Sequence, residues 1–243
     1  MFGFGSKLRS LVRRVTNAPD QNTRYDEETR AVIHRVCTPD ATCIDVGCHR
    51  GELLDVMLAA APRGRHYGFE PLPDYYDDLR HRYDETGLAR ILNVALSNIK
   101  GVATFNYVTS NPAYSGLRQR RYPQEETVAA IDVKTDLLDN LLPAHQRVDL
   151  IKIDVEGAEL QVLEGAVRTL HRNRPVVVFE HGLGAADCYG TRPEQVYDLL
   201  TKEAGLAVSL MASWLNSEHP LTRDDFAREF DKSRNYYFIA YGK

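Results

Sequence analysis

Ile151-Lys152-Ile153-Asp154-Val155-Glu156-Gly157-Ala158-Glu159 carries an apolar strand into a turn that holds three carboxylates and a lysine. Residues two apart on a strand share a face, so Asp154 and Glu156 project the same way, with Lys152 behind them. Gly157 supplies the turn, and Leu160, Leu163, Val167 and Leu170 then recur at helical spacing, which predicts a helix over 158–170. In an open α/β sheet, ligands bind in the crevice beyond the carboxyl ends of the strands. Acids in that place read as a site, although acids also suit a solvated helix start.

A second segment has the same grammar. Thr42-Cys43-Ile44-Asp45-Val46-Gly47-Cys48-His49-Arg50-Gly51 is a short apolar strand ending in an acid, then Gly-x-x-x-Gly, then a helical run over 52–60. Glycines there let the chain turn tightly and let a ligand approach the amides of a helix start. The dinucleotide fingerprint requires a glycine where His49 stands, which argues against NAD and leaves room for a cofactor without a pyrophosphate. Tyr67-Gly68-Phe69-Glu70-Pro71 ends a second short strand in an acid, nineteen residues after Gly51. A carboxylate at that place can accept hydrogen bonds from both hydroxyls of a ribose.

Taken in order, these segments resemble the S-adenosylmethionine-dependent methyltransferases, and more closely their FkbM family, from about Ala41 to Glu180. The resemblance rests on Asp45-Val46-Gly47 with Gly51, Phe69-Glu70-Pro71, Asn93-Val94-Ala95-Leu96-Ser97, Ser115-Gly116-Leu117 and Leu138-Asp139-Asn140-Leu141-Leu142. It continues through Lys152 to Glu159, Leu163-Glu164-Gly165-Ala166 and Arg174-Pro175-Val176-Val177-Val178-Phe179-Glu180. Cys48 and His49 stand where that family usually has small or amide residues. The resemblance implies a Rossmann-like α/β fold: a doubly wound, mostly parallel, seven-stranded sheet whose last strand is antiparallel. It implies S-adenosyl-L-methionine as cofactor, held by Asp45, Gly47, Cys48, His49 and Gly51, by Glu70 and Pro71, and by Asn93, Val94 and Ala95 near the adenine.

The remaining chain alternates strand and helix signals, as a doubly wound sheet demands. Strands are expected near 65–70, 90–96, 148–154, 175–181, 206–211 and 236–240, with helices near 73–86 and 193–204. Residues 101–133 break the rhythm with two strand-like runs, 102–108 and 128–133, around a long loop. Long loops in compact domains are usually functional, so this one reads as a lid or substrate wall, its Arg118, Arg120 and Arg121 suited to an acceptor's carboxylate, phosphate or sugar. Within it Asn111-Pro112-Ala113-Tyr114 nearly spells an adenine-methyltransferase signature, but it is misplaced for that role and reads as turn chemistry.

Composition fits one catalytic domain, assigned here to residues 25–243. The chain has 243 residues, 43% hydrophobic and 26% charged, with a net charge of −4, so no global basic field draws in nucleic acid. Its four cysteines form no C-x-x-C pair and suggest neither a zinc site nor a disulfide frame, which makes a reducing, cytoplasmic setting the default. No apolar run approaches transmembrane length and no signal-peptide core is evident. Residues 1–24 read as a basic amphipathic helix and a polar linker running from Asn17 to Tyr25. Lys7, Arg9, Arg13 and Arg14 lie among Leu8, Leu11, Val12 and Val15 at i, i+3, i+4 and i+7, with no acid in residues 1–17. A cap on the domain, self-association into a homo-oligomer, and peripheral contact with an anionic membrane are the readings open to it.

Methyl transfer to a hydroxyl asks for alignment, exclusion of water and a base for the departing proton. Asp154 is the first candidate base and His181, just past the strand ending in Glu180, the second; Lys152 would keep Asp154 ionised and Glu156 would bind the acceptor or orient Asp154. No metal is assigned from spacing. Asp154, Glu180 and His181, at neighbouring strand ends, are the set that could take magnesium as catechol-type enzymes do. The expected activity is O-methylation of a small-molecule or carbohydrate acceptor. N- or C-methylation and a cofactor-binding protein without turnover are the alternatives.

Overall fold

The computed structural model describes residues 20–242. Among these residues, ten strands form two sheets: β1 (Cys43–Val46), β2 (His66–Phe69), β3 (Ala89–Leu92), β4 (Ala95–Leu96), β5 (Gly101–Val108), β6 (Val128–Asp136), β7 (Leu150–Ile153), β8 (Val176–Glu180), β9 (Leu206–Ser209) and β10 (Tyr237–Gly242). The main sheet runs β3-β2-β1-β7-β8-β10-β9, with β10 antiparallel to both neighbours. This is the seven-stranded, mostly parallel arrangement expected. Strand order reverses between β1 and β7, so the crevice beyond their carboxyl ends is the ligand position of an open α/β sheet. β1, β2, β7 and β9 are buried along their whole length, as strands covered on both faces must be.

The helices are α1 (Gln21–Val36), α2 (Glu52–Ala60), α3 (Pro73–Leu79), α4 (Leu138–Leu141), α5 (Glu159–Glu164), α6 (Val167–Asn173), α7 (Pro193–Asp198), α8 (Met211–Leu215) and α9 (Arg223–Asp231). One face of the sheet packs Phe179, Phe226 and Phe238 with Leu160, Leu163 and Leu200; the other packs Val32, Ile33, Leu54 and Met57.

Several boundaries depart from the sequence reading, each for a local reason. The stretch 90–96 is two strands in different sheets: β3 completes the main sheet, whereas β4 pairs parallel with β6. The helix expected over 158–170 breaks at Gly165, where a Cβ would lie 2.2 Å from the carbonyl oxygen of Ser97. Residues 20–25, expected as linker, instead open α1: Asp20 caps it, accepting from the Thr23 amide at 3.0 Å, and Tyr25, Thr29, Val32 and Ile33 bury one stripe. The amphipathic helix expected within residues 1–17 lies outside the described residues. The expected hairpin with its long loop is present as β5 and β6, antiparallel along their length.

Candidate functional site

The turn after β1 and the turn after β7 interlock. Gly47 has φ +76°, and a Cβ there would sit 2.0 Å from the carbonyl oxygen of Asp154. Its glycine therefore serves a backbone contact as much as any ligand. The Gly47 amide donates to the Phe69 carbonyl at 3.0 Å, and the Asp154 amide to the Val46 carbonyl at 3.1 Å. Three strand ends are thus pinned together around one crevice.

Glu70 is oriented by two backbone amides. Its Oε2 accepts from His49 N at 2.8 Å and its Oε1 from Leu72 N at 3.0 Å. Burial, at 4% exposure, pushes the carboxyl up to about 7 despite both hydrogen bonds. Each oxygen retains a lone pair for a further donor. Asn93 supports the strand end from behind, its Nδ2 donating to the carbonyls of Glu70 and Pro71 at 2.9 and 3.0 Å.

Lys152, only 6% exposed, is held by three groups. Its Nζ donates to Gly47 O at 2.9 Å and lies 3.4 Å from Asp45 Oδ1 and 3.8 Å from Asp154 Oδ2. Burial opposes its charge, but the two carboxylates outweigh that and keep the ammonium protonated. Asp45, at 1% exposure, has its carboxyl raised by burial, with Lys152 opposing.

Asp154 also accepts from the Tyr237 hydroxyl at 2.5 Å. Burial would raise its carboxyl, yet the Lys152 ammonium and hydrogen bonds from Tyr237 and Glu180 hold it below the usual range. Glu180 goes the other way: burial, then the charges of Asp154 and Glu159, push it well up. Asp154 is therefore the ionised member of this pair and Glu180 the protonated one. Carboxylate oxygens of Asp154, Glu156 and Glu180 converge to within 4.8 Å of one another, and the Arg120 guanidinium is ion-paired with Glu156. Glu156 reaches Arg120 from a left-handed backbone, φ +59°. Glu159 staples the turn, its Oε1 accepting from Val155 N at 3.2 Å and Gly157 N at 3.0 Å.

Two hollows meet at Asp154. The larger, about 510 Å³, extends past Gly47, His49 and Glu70 to Val94, Ala95 and Phe105. The smaller, about 380 Å³, opens between α1, the 109–127 loop and the segment leading into β10. Asp26, Asp154, Glu156 and Tyr237 line both. The 109–127 loop borders both: Pro112, Ala113, Ser115 and Leu117 line the first hollow, and Ala113, Tyr114 and Arg120 the second. Of its arginines only Arg120 faces a hollow. Arg121 pairs with Asp187 at 2.5 Å, and Arg118 reaches the Cys188 carbonyl at 3.3 Å.

Among the expected site residues, Asp45, Gly47, Cys48, His49, Glu70, Pro71, Val94, Ala95, Lys152, Asp154 and Glu156 all border the larger hollow. Cys48 turns its thiol inward to the Asp45 carbonyl at 3.1 Å. Gly51 and Asn93 are scaffold, off the hollow's lining; Gly51 packs against Leu79 and Tyr83. His181 requires correction. Its ring is fully buried between Phe226 and Phe230, centroids 5.8 and 4.6 Å away, and borders neither hollow. Burial drives its pKa down to about 3, so it is a neutral core ring, and neither the base nor the metal-ligand reading fits it. Glu156 takes its place beside Asp154 and Glu180 in the carboxylate cluster. Tyr237 and Asp26 were not foreseen: one reads as an alternating strand residue, the other lies just past the expected linker, at the start of the assigned domain.

A family model described as "Methyltransferase FkbM domain" matches residues 45–205. "2-O-methyltransferase NoeI" of Sinorhizobium fredii is 26% identical over 158 residues, 60% of this chain and 65% of that protein. "Hexuronic acid methyltransferase AglP" of Haloferax volcanii is 30% identical over 193 residues, 78% of this chain and 73% of that one. Of the curated relatives it matches, the chain spans between 10% and 73% of the full length. A crystal structure of an FkbM methyltransferase from Methylobacillus flagellatus superposes with a TM-score of 0.52 at 14% identity, covering 96% of this chain and 57% of that one. No helix among the described residues is long and apolar enough to cross a membrane.

Proposed function

The chain belongs to the FkbM methyltransferase family, and from this we propose that it is an S-adenosylmethionine-dependent O-methyltransferase acting on a hydroxyl of a small molecule or sugar. The observation that carries this reading is the meeting of two hollows at an ionised carboxylate, Asp154, with an oriented acceptor, Glu70, at the far end of the larger one. The residues present fit the cofactor. Glu70 keeps lone pairs for the two ribose hydroxyls, and Val94, Ala95 and Phe105 offer an apolar slot for the adenine. The turn after β1 exposes its backbone for the methionine part.

When bound, S-adenosylmethionine supplies a methyl group already activated on a sulfonium, so transfer breaks the S–CH3 bond, forms O–CH3 and leaves a neutral thioether. The chain's task is to seat the acceptor oxygen in line and to remove its proton. Asp154, kept ionised by Lys152 and Tyr237, is the group suited to take that proton as the new bond forms. Lys152 ties the same carboxylate to Asp45 and to the Gly47 carbonyl, so base and cofactor turn share one anchor. Arg120 holds Glu156 in the wall by an ion pair.

Calorimetric titration with S-adenosylhomocysteine and with NAD tests the cofactor: binding of the first alone is expected, and binding of NAD alone overturns the reading. Incubation with methyl-labelled S-adenosylmethionine and a metabolite extract tests the reaction. Label recovered as an ether on oxygen is expected; label found only on nitrogen or carbon overturns the O-methyl assignment.

A further inference from the structure

The smaller hollow is made largely by parts of the chain that lie outside the matched family region. Half of its lining residues precede Asp45 or follow Gly205, among them Asn22, Asp26, Ser233 and Tyr236. The larger hollow draws on these termini only through Asp26, Arg30 and Tyr237. The two terminal segments are fastened to each other across its rim. Tyr25 Oη donates to Asn235 Oδ1 at 2.9 Å, Tyr236 N to Tyr25 Oη at 3.3 Å, and Gln21 Nε2 to the Arg234 carbonyl at 3.0 Å. The Tyr236 hydroxyl donates to Asn22 Oδ1.

The lining has a definite chemistry. Rings of Tyr114, Tyr236, Tyr237 and Phe230 line it together with the planar polar groups of Asn22, Asp26 and Asn235. Aromatic faces accept the C–H side of a saturated ring, and planar amides and carboxylates take paired hydroxyls. Asp26 has no hydrogen-bond or ion-pair partner among the described residues, yet it lies where both hollows meet. Four carboxyl groups, Asp26, Asp154, Glu156 and Glu180, line it with one guanidinium, Arg120. Glu156 is paired with Arg120 and Asp154 with Lys152, which leaves Asp26 the carboxylate without a cation among the described residues. A second negative charge placed against it is repelled, so this wall disfavours an anionic acceptor.

We propose that this hollow is the acceptor subsite for a neutral, polyhydroxylated ring of monosaccharide size, with Asp26 as a specificity-determining residue that receives hydroxyls next to the one methylated. This rests on the methyltransferase reading above and deepens it. It separates this chain from the relative named for a hexuronic acid: the family region supplies the cofactor half, and the fastened termini select the acceptor.

The test uses the full chain with methyl-labelled S-adenosylmethionine and two sets of methyl glycosides: neutral hexoses and the matching uronates. A neutral glycoside is expected to be methylated, its uronate at least about tenfold lower in kcat/KM. Asp26→Ala should raise the acceptor KM about tenfold and leave the KM for S-adenosylmethionine within about twofold. Asp26→Asn, which keeps the shape and removes the charge, should narrow the neutral-to-uronate ratio, an effect that mere loss of structure does not produce. Preference for the uronate overturns the proposal, as does an unchanged acceptor KM in Asp26→Ala. No turnover of any glycoside while S-adenosylhomocysteine still binds overturns the acceptor class and leaves the methyltransferase reading standing. Failure to bind S-adenosylhomocysteine overturns both.

Discussion

Tyr237 and Asp154 meet across the sheet at 2.5 Å, the hydroxyl of the antiparallel strand β10 donating to the carboxylate that follows the parallel strand β7. That contact stabilises the charged form of Asp154 and fixes its rotamer. Tyr237→Phe removes it with little change of shape, so the Asp154 carboxyl should rise. The acid limb of the kcat profile then moves to higher pH while affinity for S-adenosylhomocysteine stays the same. A pH–rate profile identical to wild type would mean that Asp154 is not the base.

The ribose role proposed for Glu70 requires its ionised form. Because burial places its pKa at about 7, the carboxylate that accepts ribose hydroxyls is lost as pH falls through neutrality. Titrations between about pH 6 and pH 8 should show the Kd for S-adenosylhomocysteine rising toward acid, by up to about tenfold per pH unit below the pKa. Glu70→Ala should abolish binding without unfolding the protein; a Kd flat across this range counts against the ribose role.

Stability of the free protein should fall as pH rises through mildly acid values. Glu70 and Glu159 both have folded-state pKa values of about 7, above the ordinary 4.5, because burial favours their neutral forms. Glu180 is raised as well. A carboxyl raised in the folded state binds more protons there than in the unfolded chain, so its stabilisation is complete below pH 4.5 and is lost by about pH 7. For each of the two glutamates the change is on the order of 3 kcal/mol at most. Glu159→Gln keeps an acceptor for the amides of Val155 and Gly157 and removes the titration, so thermal melting against pH should flatten over this window.

Gly47→Ala should be severe. The added methyl would meet the Asp154 carbonyl at 2.0 Å, and the backbone is left-handed besides. A loss of roughly 3 kcal/mol or more is expected, with loss of cofactor binding. Gly101→Ala, where the nearest atom is Thr135 Oγ1 at 3.9 Å, is the control and should change the melting temperature little.

Removing the buried ammonium by Lys152→Met strands Asp45, which is 1% exposed. Breaking a buried pair costs on the order of 3–5 kcal/mol. The double variant Asp45→Asn/Lys152→Met should recover much of that stability in chemical denaturation, and no recovery would show that Lys152 acts through its other contacts.

The larger hollow was legible because local rules govern it. An acid at a strand end, a glycine in a forced turn and a second acid on the next strand are written within short segments, and all of them border one hollow. The smaller hollow was not, since it arises from contacts between residues about two hundred positions apart, such as Tyr25 with Asn235. His181 misled for a related reason. Position after a strand end suggests the crevice, but the ring turned to the opposite face, where Phe226 and Phe230 outcompete solvent for it. The break at Gly165 was hidden too, because helical spacing continues through it while the Ser97 carbonyl that demands it comes from another sheet.

The near-contact between Gly47 and the Asp154 carbonyl makes the turn after β1 and the turn after β7 one mechanical part. Neither can be re-angled alone, so in the proposed reaction the spacing between cofactor turn and base is set before any substrate arrives. Divergence toward new acceptors is then confined to the rim, where the two chain ends can drift without disturbing that alignment.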